Sequence, residues 1–138
     1  MRRLTALAVL ALAGCGSGDP SPESVVRAWS EAVNSEDNAA AARLFAEDAR
    51  VIQGTNVRRL RTFREARNWN AGLPCSGRIL VLEVRGDIVR ATFLLGDRET
   101  TRCDGPGERA QAVFRVQRGK IVLWHQVDPV LEPDEESA

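Results

Sequence analysis

Leu44-Phe45-Ala46-Glu47-Asp48-Ala49-Arg50-Val51 stands where a helical pattern gives way to a strand, and the rest of the chain is organised around that change. On its N-terminal side, Asn34-Ser35-Glu36-Asp37 breaks one helix and caps a second, Ala-rich one that reaches Phe45 or Ala46, with Leu44 and Phe45 as its apolar face. The helix before it runs over about Pro22–Asn34. Ser21 is its cap, Pro22 pre-sets the first turn, and Val25, Val26, Trp29, Ala32 and Val33 recur at helical spacing. On the C-terminal side, Arg50-Val51-Ile52-Gln53 is a short strand stopped by Gly54. Thr62 and Glu65 then form a capping box for a third helix from Phe63 to about Trp69, ending near Asn70-Ala71-Gly72.

After Pro74 the period shortens to two. Arg78–Arg85 is a strand, Gly86-Asp87 a two-residue hairpin turn, and Ile88–Leu95 the returning strand, with Val89, Ala91, Phe93 and Leu95 on one face. A polar loop, Gly96–Glu108, carries Cys103. Arg109–Gln117 follows, with Ala110, Ala112, Phe114 and Val116 on one face, and Arg118-Gly119 turns it into Lys120–Val127. Three helices first and an antiparallel meander last is an α+β layout in which the helices cover one face of the sheet.

The chain has 138 residues, 19 basic and 19 acidic side chains, 43% apolar and 28% charged residues. That is one ordinary globular domain, not a disordered chain, and zero net charge gives no reason to expect nucleic acid as partner. Lys120 is the only lysine, so the abundance of arginine reads as coding bias. Met1-Arg2-Arg3 followed by an apolar run to Gly14 has the dimensions of a secretory signal, too short to span a bilayer. Its end, Leu12-Ala13-Gly14-Cys15, resembles the bacterial lipoprotein box. The resemblance implies cleavage after Gly14 and diacylglycerol on the Cys15 thiol. Two acyl chains, at about 0.8 kcal/mol per buried CH₂, anchor stably where one does not. The chain then divides into a signal peptide (1–14), a flexible tether (15–21), a folded domain (22–128) and an acidic disordered tail (129–138). Loss of Arg2 and Arg3 leaves 17 basic groups against 19 acidic, a net charge of −2. In an exporting compartment Cys75 and Cys103 read as a disulfide, since no His or Cys lies near either at zinc-ligand spacing. Closing nearly thirty residues is worth about 3.5 kcal/mol in the chain-entropy model.

Val25 to Asn34, Leu44 to Val51, and Phe114-Arg115-Val116 through Gly119-Lys120-Ile121 to Trp124 occur in this order, and together they resemble the nuclear transport factor 2-like superfamily. That group includes ketosteroid isomerases, SnoaL-like polyketide cyclases, limonene epoxide hydrolases and non-catalytic binding domains. The resemblance implies a cone-shaped fold with three N-terminal helices on a curved antiparallel sheet, enclosing a pocket. It also implies where reactive groups should stand, and this chain departs from each pattern. The isomerase base position holds Gln53, and the oxyanion-hole positions hold Trp29 and Ala112, in a chain without tyrosine. The epoxide hydrolases' Asp-Arg-Asp set is missing, Gln126 falling where its last-strand Asp would be. The cyclases' acidic residue and His near the end of the final strand have counterparts in Asp128 and His125.

His125 is the only histidine and could serve as a general base oriented by Asp128 or Gln126; the plainer reading is a strand histidine bonded to a neighbour. Trp29, Phe45, Trp69, Phe93, Phe114 and Trp124 could line an apolar pocket with Gln53 and His125, or simply form the core. Arg58, Arg59, Arg61, Arg64 and Arg67 around the third helix could meet anionic headgroups, a solvated face being the plainer reading. The sequence therefore leads to an exported, membrane-anchored lipoprotein of the cell envelope, facing outside the cytoplasm. It would bind a small lipophilic ligand or a protein without catalysis, and without metal or cofactor. Two other readings stay open: a SnoaL-like enzyme using His125 and Asp128, and a domain that dimerises through its exposed sheet face.

Overall fold

The computed structural model describes residues 18–129. The signal peptide, Cys15 and positions 130–138 of the tail lie outside the described residues. Helix α1 (Pro22–Asn34) begins where Ser21 Oγ accepts the Ser24 N–H at 3.1 Å, and it buries Val25, Val26, Trp29, Ala32 and Val33. Pro20, assigned to the tether by sequence, already packs against Gly119, where a Cβ would come within 2.8 Å of its ring. Helix α2 (Asn38–Arg43) is capped by Asp37, whose carboxylate accepts the Ala40 N–H at 3.0 Å.

This helix stops at Arg43, two or three residues short of the expectation, and Phe45 opens strand β1 (Phe45–Gln53). The cause is tertiary. The Leu44 carbonyl accepts the Ile121 N–H at 2.8 Å, and Phe45 takes up register opposite Ile121. Strand pairing overrides the helical propensity of Leu44-Phe45-Ala46. The register then jumps from Phe45/Ile121 to Arg50/Leu123, and Asp48 absorbs the extra residues in a left-handed conformation, φ 61°.

Gly54, φ 59°, turns β1 into β2 (Asn56–Leu60), a strand the sequence reading lacked. Four of its five residues are exposed and two are arginines, so it carries no alternating pattern. Helix α3 (Phe63–Ala71) follows on the Thr62/Glu65 box: Thr62 Oγ1 accepts the Glu65 N–H at 3.1 Å, and Glu65 Oε2 accepts that of Arg61 at 2.7 Å. Strands β3 (Ser76–Arg85), β4 (Ile88–Gly96), β5 (Arg109–Gln117) and β6 (Lys120–Val127) form the meander.

The sheet is curved and unclosed, in the order β2-β1-β6-β5-β4-β3. All neighbours are antiparallel except β1 and β6, which run parallel, so the sheet is not wholly antiparallel as expected. A bulge between Arg115 and Val116 lets Ile121 and Trp124, three residues apart, both face inward. The helices cover the inner face, where Trp29 is the hub. Its ring meets Phe114 at 5.2 Å, Phe93 at 6.1 Å and Trp124 at 6.3 Å, and the cluster continues through Trp69 to Phe45. Among the described residues no helix is long and apolar enough to cross a membrane.

Candidate functional site

The wide end of the sheet is held open by three polar devices. At the end of α1, Asn34 behaves as a strand partner for Gly77: its Oδ1 accepts the Gly77 N–H at 2.8 Å and its Nδ2 donates to the Gly77 carbonyl at 2.9 Å. Ser30 Oγ donates to the same carbonyl at 3.1 Å. A Cβ at Gly77 would stand 3.1 Å from Phe93 Cβ and Cδ1, close enough that the Phe93 side chain would have to give way.

Asn70 in α3, fully buried, accepts the Trp29 indole N–H at 2.9 Å and donates to the Ala66 carbonyl at 2.8 Å. Its own backbone carbonyl accepts from Arg98, the third device; sequence reasoning singled out none of the three. Arg98 lies in the β4–β5 loop, 5% exposed. Its guanidinium donates to the Asn70 and Leu73 carbonyls and to Asn38 Oδ1 at 2.8–2.9 Å, and to the Val33 carbonyl at 3.5 Å. Glu36 stands 3.6 Å from its Nε and also accepts from Thr100. One cation thus ties the ends of α1 and α3 to the start of α2, satisfying helix-terminal carbonyls that would otherwise be orphaned.

The same loop returns to β3 through the Cys75–Cys103 disulfide, Cα–Cα 4.5 Å, which the sequence reading expected. These two sulfurs and the Asp104 carboxylate lie within 4.8 Å of one another. With the sulfurs joined, the group offers a cation only the exposed Asp104 carboxylate, which is not a metal site.

Between these devices opens a cleft of about 290 Å³. Trp29, Val33, Leu73, Phe93, Leu95 and Trp124 supply its apolar walls. Gln53 and Gln126 stand at its mouth. The parallel register pairs Ile52 with His125, which sets these two carboxamides side by side on β1 and β6. Among the described residues Asp104 is the only ionisable side chain on the lining.

Of the pocket residues expected from sequence, the cleft brings together Trp29, Gln53, Phe93 and Trp124. Phe45, Trp69 and Phe114 do not line it. They lie behind it in the core, Phe114 beneath Trp29 with no exposure at all. His125 is also absent from the lining. On β6 successive side chains alternate, so with Trp124 and Gln126 inward, His125 projects from the outer face, in register with Val113 and Ile52. Asp128 follows the end of β6 and is exposed. Arg58, Arg59, Arg61, Arg64 and Arg67 are all exposed, and none of them lines the cleft.

No protein-family model matches this sequence, and the comparison with curated proteins found no match. Solved structures are similar to it in shape. A nuclear transport factor 2-like protein of unknown function from Cytophaga hutchinsonii superposes with a TM-score of 0.66 at 16% identity, covering 82% of this chain and 95% of its own. A putative polyketide cyclase from Sinorhizobium meliloti gives 0.64 at 18% identity, covering 75% and 94%. A protein with a ketosteroid isomerase-like fold from Catenulispora acidiphila, solved with trimethylamine, gives 0.62 at 18% identity, covering 80% and 88%. The chain therefore has the nuclear transport factor 2-like fold. At these identities the likeness speaks for the fold, and function is argued from the site.

Proposed function

We propose that this chain is an exported, lipid-anchored module that binds a small lipophilic ligand in the cleft without transforming it. The observation that carries the reading is the lining. It has aromatic and aliphatic walls, the neutral polar side chains of Ser30, Asn34, Ser76 and Gln111, two carboxamides at the mouth and, among the described residues, no acid or base apart from the rim carboxylate of Asp104. The positions where the resembling isomerases hold a base and oxyanion donors carry Gln53, Trp29 and Ala112, and all three side chains face this cleft. An amide and an indole can bind and orient a ligand but cannot take up a proton near neutrality.

An anchor at Cys15 would lie near the point where the described chain begins. Residues 19–20 enter beside Gly119, at the β5–β6 turn. The mouth lies at the other end of β6, six residues and roughly 20 Å away at ~3.3 Å per residue. An anchor on that side leaves the mouth facing away from the lipid. Two measurements test the reading. Cys15→Ser removes the acyl mass and moves the protein from the membrane to the soluble fraction. Purified protein offered lipophilic carbonyl compounds and envelope lipids binds some of them and turns over none; any turnover overturns the non-catalytic assignment.

A cyclase- or hydratase-type reaction at His125 and Asp128 is the competing reading. The neighbours described as a putative cyclase and as isomerase-like support it at the level of fold. The outward projection of His125 counts against it. Dimerisation through the outer sheet face draws on Val57 and Val81, which are 56% and 50% exposed there. A molecular mass in solution that stays monomeric at all concentrations excludes that dimer.

A further inference from the structure

We infer that the cleft selects an uncharged ligand carrying a hydrogen-bond-accepting oxygen, and that the Trp124 indole N–H is the donor that recognises it. The inference rests on the binding role proposed for the cleft. Trp124 is 6% exposed and lines the cleft, yet its Nε1 is buried with no hydrogen-bond partner. A buried donor left unpaired costs about 1–3 kcal/mol, and such groups are rare enough to need a reason. The neighbouring indole shows that this fold can supply a partner: Trp29 donates to Asn70 Oδ1 at 2.9 Å. Trp124 has received none from the protein. A ligand pressed against that wall can supply it, with the Trp124 ring turning toward the cleft it already borders.

The absence of charge on the lining sets the chemical class. Among the described residues no Arg, Lys or His lines the cleft, and the Asp104 carboxyl group stands at its rim. A carboxylate or phosphate seated there would be buried without a counter-ion, at a cost of several kcal/mol. The acceptor is therefore a ketone, ester or ether oxygen on an otherwise apolar body. The volume of about 290 Å³ is at the lower end of ligand pockets, which suits a molecule of one or two rings. Gln53 and Gln126 offer both donors and acceptors to any polar group left at the mouth.

The test uses purified full chain and two probes of one carbon skeleton, 2-decalone and decalin, with tryptophan fluorescence as the binding signal. Trp124→Phe keeps an aromatic ring in place but removes the N–H together with the pyrrole half of the indole, so the two probes are compared as a ratio. We expect 2-decalone affinity to fall about tenfold more than decalin affinity in this variant, as the loss of one buried hydrogen bond predicts. Trp29→Phe, whose N–H is already engaged, leaves the ratio between the two probes unchanged. A measurement on the unmodified chain does not depend on a variant folding. The carbonyl stretch of bound 2-decalone moves below its position in hexane if the bond forms. Equal losses for both probes, or an unshifted carbonyl band, overturn the inference and leave the binding role standing. If neither probe binds the unmodified chain, the binding role falls and the inference falls with it.

Discussion

Replacing Arg98 by Met removes the cation that joins all three helices and keeps the aliphatic stem. In the native fold its three short hydrogen bonds reach Asn70 O, Leu73 O and Asn38 Oδ1 at 2.8–2.9 Å. Each such bond to a charged group contributes about 1.5–3 kcal/mol net. Against their sum stand the cost of burying the guanidinium and the unpartnered Nε, whose nearest anion is Glu36 at 3.6 Å. Removing one member of a buried charged network typically destabilises by about 3–5 kcal/mol, because the remaining members lose their partner. Here Glu36 and the Asn70 and Leu73 carbonyls are those members. For a domain of this size about 1 kcal/mol corresponds to roughly 4 °C, so the melting temperature should fall by about 12–20 °C. Circular dichroism melts with the disulfide intact measure it. Arg98→Lys should lose nearly as much, because one ammonium cannot span acceptors set around a planar fork. A fall of less than about 1 kcal/mol in both variants would refute the assignment of Arg98 as the clasp of the helix ends.

Three further outcomes follow from particular contacts. Reducing Cys75–Cys103, or replacing both by Ser, should cost about 3.5 kcal/mol in urea unfolding, as expected for a loop closed over 28 positions. Because Cys75 and Asp104 border the cleft, ligand affinity should fall in the same titration. Gly77→Ala drives a methyl against Phe93, itself held by Trp29, and should destabilise by about 1–3 kcal/mol in thermal melts. His125→Ala should leave ligand affinity within twofold of the native value, since the ring projects from the other side of β6; a tenfold loss would place the histidine in the site after all.

The helices were legible because their signals are local. A Ser, Asp or Thr cap is followed within four residues by its acceptor or donor, and a buried stripe repeats every three or four positions. The meander was legible for the same reason, two of its three connections being two-residue turns and its alternation clean. Strand β2 was not, because an edge strand with arginines on both faces has no periodic imprint. The start of β1 was misplaced because Leu44-Phe45-Ala46 is locally a good helix, and only Ile121, some eighty residues on, makes it strand. Among site residues, Trp29, Phe93 and Trp124 could be proposed as aromatics on inward faces. That Phe45, Trp69 and Phe114 stand one layer behind them is a matter of packing depth, which periodicity does not encode. Arg98 is one of 18 arginines, with nothing in its neighbourhood to single it out.

The order of elements apart from strand β2, the disulfide and the fold thus came from the amino-acid sequence itself, because they rest on local caps, turns and periodicity, on the succession of three recognisable stretches and on the pairing of two cysteines. Which side of β6 carries Trp124 and Gln126 rather than His125, which indole lacks a partner, and which arginine is buried were decided by tertiary structure alone. Each depends on a register or a burial depth set by residues distant in the chain, and burial is what gives a polar group its energetic weight.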